Sequence, residues 1–171
     1  MGRWKPPLPK SSPYITARGL ERLKAELRGL WKDRREVVTA ITAAAAEGDR
    51  SENAEYIYRK KQLREMDRRI RYLTRRIDEV QPVASAPADT AKVYFGAEVS
   101  VIDDDGSESR YRIVGADEID PKRHWISVDA PLARALLGRA MDDRVSVETP
   151  AGRRNLEIVG IDYDEWDGSR E

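Results

Sequence analysis

Apolar residues in the first half of the chain fall at Leu20, Leu23, Leu27, Leu30, Val37 and Ile41, in steps that alternate three and four. Only Arg34 interrupts the rhythm. This spacing keeps one stripe of a helix facing a partner, as in the seam of a coiled coil. Thr16 is placed to cap the helix, and the pattern fades in Ala43-Ala-Ala-Ala46 before stopping at Gly48. A second seam runs through Tyr56, Leu63, Met66, Ile70, Leu73, Ile77 and Val80, with Arg59 its single miss. Each segment has about 30 residues, so each helix would be roughly 45 Å long. The joint is only Glu47-Gly-Asp-Arg-Ser51, and so short a connection makes the helices antiparallel neighbours. The first half therefore predicts one long helical hairpin with a narrow tip.

After residue 81 the period becomes two. Val99 and Val101 alternate with polar neighbours, and Asp104-Asp-Gly106 is a hairpin signal. Tyr111–Val114, Trp125–Val128, Val145–Val147 and Leu156–Val159 are further strand candidates, and Pro150-Ala-Gly152 reads as another turn. A short helix is expected over 131–137, ending at Gly138. Gly96, Gly106 and Gly115 read as turn glycines rather than a phosphate loop. The organisation predicted is a leader over 1–12, a coiled-coil domain over 13–81 with an acidic tip at 48–53, a linker over 82–91, a small α+β domain over 92–163 and an acidic tail over 164–171. Four of the nine prolines lie in the first thirteen residues, which marks the leader as flexible, and the stretch from Asp162 onward is expected to fray.

Charge sharpens this division. The 171 residues carry 31 basic and 31 acidic side chains. Residues 1–80 hold 20 basic and 12 acidic ones, a balance of +8; residues 81–171 hold 11 and 19, a balance of −8. A basic half joined to an acidic half points to two different partners, one of them nucleic acid. Cysteine is absent and His124 is the only histidine, which removes disulfides, thiol catalysis and an ordinary protein-only zinc site. No run of 18 apolar residues offers a membrane span, and the first ten residues have no apolar signal-peptide core. The expectation is a cytoplasmic monomer with no membrane partner.

Two features carry chemistry. Asp49 and Glu52 stand three apart where the hairpin turns. They can be read as a capping box for the second helix, in keeping with its dipole. They can also be read as hard oxygen ligands for Mg²⁺, which binds through one or two carboxylates plus water and substrate phosphate; two carboxylates alone cannot complete such a site. The second feature is a basic face on the second helix. Lys60, Arg64, Arg68, Arg71 and Arg75 follow steps of four, four, three and four, and Lys61, Arg69 and Arg76 widen the band. Between residues 59 and 76 only Glu65 and Asp67 are acidic. A solvated coiled-coil flank is one reading. A phosphate backbone alongside is the other, because like charges four apart repel without one.

The motif Gly48-Asp-Arg-Ser-Glu-Asn-Ala-Glu-Tyr56 resembles the tip of the bacterial Gre transcript-cleavage factors. Tyr14-Ile-Thr-Ala-Arg-Gly-Leu-Glu-Arg-Leu-Lys-Ala-Glu-Leu27 resembles the family's opening, and Lys60-Lys-Gln-Leu-Arg-Glu-Met-Asp-Arg-Arg-Ile-Arg-Tyr-Leu-Thr74 its GreB branch. Phe95-Gly-Ala97, Tyr111-Arg-Ile-Val-Gly115 and Ile126-Ser-Val-Asp-Ala-Pro-Leu-Ala-Arg-Ala-Leu-Leu137 resemble the second domain, so the likeness spans about residues 13–163. It implies a coiled coil that enters the secondary channel of RNA polymerase and an FKBP-like α+β domain that docks at the channel's outer rim. It also implies an activity, stimulation of the polymerase's own hydrolysis of the RNA 3′ end extruded on backtracking. The factor itself would not be the enzyme.

On this resemblance Asp49 and Glu52 hold a catalytic Mg²⁺ jointly with polymerase aspartates, with none bound tightly by the free protein. Lys60, Lys61, Arg64, Arg68 and Arg71 contact the extruded RNA, while Asp129, Pro131 and Leu132 dock on polymerase. Ala130 stands where family members often have Ser. Two rivals remain: a secondary-channel regulator that does not promote cleavage, and a basic coiled-coil RNA-binding protein independent of polymerase. Prolyl isomerase activity would rest on fold analogy alone.

Overall fold

The computed structural model describes residues 10–46, 54–149 and 152–163. They form two compact units, one of residues 20–80 and the other of the remaining chain on either side.

The helical unit is the predicted hairpin. Helix α1 spans Ala17–Ala46 and α2 spans Ala54–Glu79. Leu23, Val37, Ile70, Leu73 and Val80 of the two seams are buried, while Leu20, Leu27, Leu30, Ile41, Leu63 and Met66 are half-buried. Ala44 is buried as well. The heptad therefore does not fade in the alanine run; its next position is filled by a small side chain. Arg34, the break in the first seam, meets Asp67 across the pair, Nε to Oδ1 at 2.6 Å, with both side chains about one-third exposed. Arg69 reaches Glu26 at 2.7 Å. Those partners run in opposite senses along the two helices, as an antiparallel pair requires.

The second unit opens with an element the periodicity does not announce. Strand β1 (Tyr14–Thr16) pairs in parallel with β2 (Gln81–Val83), matching Ile15 to Pro82. Residues expected to be the margins of the coiled coil and linker are thus strand, because each supplies the other's backbone partners across 67 positions of sequence. Thr16 caps α1 as expected, its Oγ1 accepting from the Gly19 N–H at 2.9 Å.

The main sheet has five strands in the order β5-β4-β3-β7-β6, where β3 is Glu98–Asp103, β4 Glu108–Val114, β5 Trp125–Ser127, β6 Arg144–Thr149 and β7 Gly152–Asp162. The pairs are antiparallel except β4 with β5. The β3–β4 hairpin turns through Gly106 at φ +80°, a conformation that favours glycine. Helix α3 (Pro131–Leu136) covers the sheet, burying Ala133 and Leu136 against Val99, Val101, Ile113 and Ile158. Asp162 ends β7 rather than fraying. The next residue, Tyr163, is buried, its hydroxyl donating to the Lys92 carbonyl at 2.6 Å and accepting from the Tyr94 N–H at 2.8 Å. Burial raises this phenol's pKa, so it keeps the proton it donates. Residues 164–171 lie outside the described chain.

Glu118, 2% exposed, ties Thr16 to Gly115 inside this unit. Its carboxylate accepts from the Thr16 N–H and the Gly115 N–H, each at 3.0 Å, and from the Thr16 hydroxyl. Two glycines make room for it. A Cβ at Gly19 would lie 2.1 Å from Glu118 Oε1, and one at Gly115 would lie 2.6 Å from the Tyr14 carbonyl oxygen. Gly115 opens a turn, its carbonyl accepting from the Glu118 N–H at 3.0 Å, and its missing Cβ also allows this close approach. Replacing Glu118 by alanine would strand buried donors, so a loss of about 2–4 kcal/mol is expected in urea denaturation. A Gly115→Ala variant should be destabilised through the same segment.

Candidate functional site

Helix α2 presents its basic residues away from the seam. At 3.6 residues per turn, Lys60, Lys61, Arg64, Arg68, Arg71 and Arg75 fall within an arc of about 100° opposite the buried side chains. All six are exposed. Lys61, Arg64, Arg68 and Arg71 have no hydrogen-bond or ion-pair partner among the described residues. Lys60 lies 5.4 Å from the Tyr56 ring centroid, and Arg75 stands 3.9 Å from Glu79. The stripe is narrower than the sequence suggests. Arg69 is tied to Glu26 across the helix pair and Arg76 is buried, 6% exposed, so neither widens the exposed stripe. A row of exposed cations about 22 Å long from Lys60 to Arg75, its four inner members without a hydrogen-bond or ion-pair partner among the described residues, suits a polyanion laid along the helix.

The tip acids Asp49 and Glu52 lie outside the described residues, as does the hairpin turn itself. Their donor chemistry still sets what they can hold. Two carboxylates are hard ligands of the kind Mg²⁺ takes in ones and twos, the remaining positions being filled by water and phosphate or by another protein. The pair therefore fits a share of such a site rather than a whole one. Among the described residues no group of three or more His, Asp or Glu side chains could hold a metal ion.

In the second unit Asp129, Pro131 and Leu132 come together where β5 passes into α3. The Asp129 carboxylate accepts from the Ser12 N–H at 2.7 Å and stands 3.9 Å from Arg134. Pro131 is exposed at the first turn of α3, and Leu132 is half-buried against the core. Part of Asp129's capacity is thus taken by a residue 117 positions away, which no local sequence signal could reveal. Ala130 occupies the cap position of α3 and supplies no side-chain acceptor. Ala130→Ser should restore one and stabilise the protein by about 0.5–1 kcal/mol, read as a higher urea midpoint. His124, in a left-handed conformation, stacks on Tyr111 at 5.9 Å and has no catalytic partner among the described residues. No helix there is long and apolar enough to cross a membrane.

Comparison with known proteins matches both units. Residues 13–81 fit the family description "Transcription elongation factor, N-terminal", and residues 88–163 fit "Transcription elongation factor, GreA/GreB, C-term". A transcription elongation factor GreB of Xanthomonas axonopodis pv. citri is 56% identical over 165 residues, covering 95% of this chain and 98% of that protein. One from Pseudomonas aeruginosa is 52% identical over 164 residues, covering 95% and 98%. Among solved structures, GreA factor homolog 1 of Thermus thermophilus is 22% identical and covers 87% of this chain and 97% of its own, with a TM-score of 0.41. The family assignment rests on the sequence matches.

Proposed function

The chain belongs to the GreA/GreB family of transcription elongation factors, on its GreB branch, and on that premise we propose that it inserts its helical hairpin into the secondary channel of RNA polymerase and stimulates cleavage of backtracked RNA. The observation that carries this reading is the basic row on α2, in which Lys61, Arg64, Arg68 and Arg71 have no hydrogen-bond or ion-pair partner among the described residues; in sequence it follows shortly after the acidic pair Asp49 and Glu52. A polyanion threaded along the stripe would arrive at carboxylates able to share a divalent ion.

The division of labour follows from the side chains. Lys60, Lys61, Arg64, Arg68 and Arg71 draw the extruded strand onto one face of the arm by contacting phosphates, which positions it without reading its bases. Asp49 and Glu52 would hold Mg²⁺ together with the polymerase's own aspartates, and that ion supplies activation of water or stabilisation of the leaving oxygen at the phosphodiester. The same two carboxylates orient a water by accepting its hydrogens. Asp129, Pro131 and the exposed part of Leu132 dock the second unit on the enzyme. The hydrolytic centre stays with polymerase, and this chain is its auxiliary. Such a protein works in the cytoplasm, as a monomer for each polymerase.

The test uses stalled, backtracked elongation complexes with labelled RNA and Mg²⁺. Release of short 3′ fragments on adding the protein supports the proposal. Competition for the channel without fragments would instead make this a regulator with a silent tip. RNA binding without any effect on polymerase would favour the free RNA-binding alternative.

A further inference from the structure

Trp31 is 48% exposed in the middle of α1, an unusual place for the largest side chain on a coiled-coil arm. It borders a groove of about 750 Å³ lined also by Arg34, Asp67, Ile70, Arg71, Thr74, Arg75 and Asp78. Two of these, Arg71 and Arg75, belong to the cationic stripe. We propose that this groove is a nucleobase-binding site, taking one base of the single-stranded RNA that follows the stripe; the inference rests on the polymerase reading above.

The chemistry of the lining matches a nucleotide on each side. The indole is a stacking platform, and base–aromatic stacking is tolerant of sequence because every base has a π-face. Arg34 steadies it, its guanidinium 5.7 Å from the ring centroid and its Nε fixed by Asp67 at 2.6 Å. That ion pair also removes Asp67 as a repulsive charge. Arg71, unpartnered among the described residues, is free for a phosphate. Asp78, which has no hydrogen-bond or ion-pair partner among the described residues, supplies an acceptor for an exocyclic amino group. Buried Ile70 forms the apolar floor. An apolar partner would leave Arg71 and Asp78 unpaired in the groove, whereas a nucleotide offers both an anion and donors.

Position along the arm gives the proposal a length. Trp31 lies fifteen residues before Ala46, about 22 Å along the helix. That is about seven nucleotides of stacked strand at 3.4 Å each. A tail of two extruded nucleotides falls short of the groove and one of ten passes it.

Cleavage would therefore be measured on complexes backtracked by two and by ten nucleotides, the longer tails carrying 4-thiouridine for cross-linking. Wild type, Trp31→Ala, Trp31→Phe and Arg71→Ala are compared, with competition for polymerase measured on each. Trp31→Ala should lower cleavage of the ten-nucleotide tail about tenfold and its cross-link to the arm, while leaving the two-nucleotide tail and polymerase competition unchanged. Trp31→Phe should recover most of the loss, since it keeps an aromatic face. Equal loss on both tails, unchanged cleavage of the long tail, or weaker competition for polymerase (a protein contact at Trp31) would each overturn the site. Wild type inactive on both tails would remove the polymerase reading and this proposal with it.

Discussion

Asp49→Ala should abolish stimulated cleavage, by more than about 100-fold, while leaving binding to polymerase intact. Loss of even an outer partner of a metal ligand costs roughly 10–100-fold, and Asp49 is proposed as a ligand itself. The same residue admits a second role, as helix cap for α2, and alanine removes both. Asp49→Asn separates them. Asparagine caps a helix about as well as aspartate but brings a neutral amide where the metal needs a hard anion. If the ligand role is right, Asp49→Asn is as inactive as Asp49→Ala, and raising Mg²⁺ recovers part of its activity. If Asp49→Asn cleaves normally, the carboxylate is not a ligand and the capping role stands. Glu52→Gln should follow Asp49→Asn. Both variants keep the far-UV circular dichroism of the hairpin, because the seam from Leu23 to Val80 holds α1 and α2 together without the tip.

Reversing four charges of the stripe, Lys60, Arg64, Arg68 and Arg71 to glutamate, has the second large effect. Each single-strand phosphate contact contributes about 0.7 to the slope of log affinity against log salt. Removing four should flatten the salt dependence of stimulated cleavage by about 3, and at about 0.1 M salt the same arithmetic gives a loss on the order of 100-fold or more. The four side chains are exposed and make no hydrogen bond or ion pair among the described residues, Lys60 meeting only the Tyr56 ring, so the helix itself should tolerate the change. Competition for polymerase should change far less than cleavage of a long extruded tail. A uniform loss of both would mean the stripe contacts the enzyme and not the RNA. Reversing Arg69, by contrast, breaks its pair with Glu26 and should act on the hairpin's stability.

How much of this was legible in the sequence depends on the range of the interaction involved. The two seams, the cap at Thr16, the β3–β4 hairpin at Gly106 and the helix after Pro131 were all readable, because each is written in residues within one or two turns of each other. The cationic stripe was readable for the same reason, since a period of 3.6 places its members on one face. Its width was not. Arg69 and Arg76 lie at the edge of that face, and only tertiary packing decides that one is paired with Glu26 of α1 and the other buried.

The sequence by itself determined the helical hairpin, the change to a period of two after residue 81, the opposite charge of the two halves and the family, through motifs that run in order from Tyr14 to Leu137. Tertiary structure alone decided which distant groups meet. It paired residues 14–16 with 81–83, buried Glu118 among donors from Thr16 and Gly115, set Ser12 against Asp129 and gathered Trp31, Arg71 and Asp78 around one groove. Periodicity reports which face of an element is apolar, whereas hydrogen bonds and grooves between elements depend on register and on the angle at which they pack. Those are fixed only when buried polar groups must find partners, wherever along the chain the partners lie.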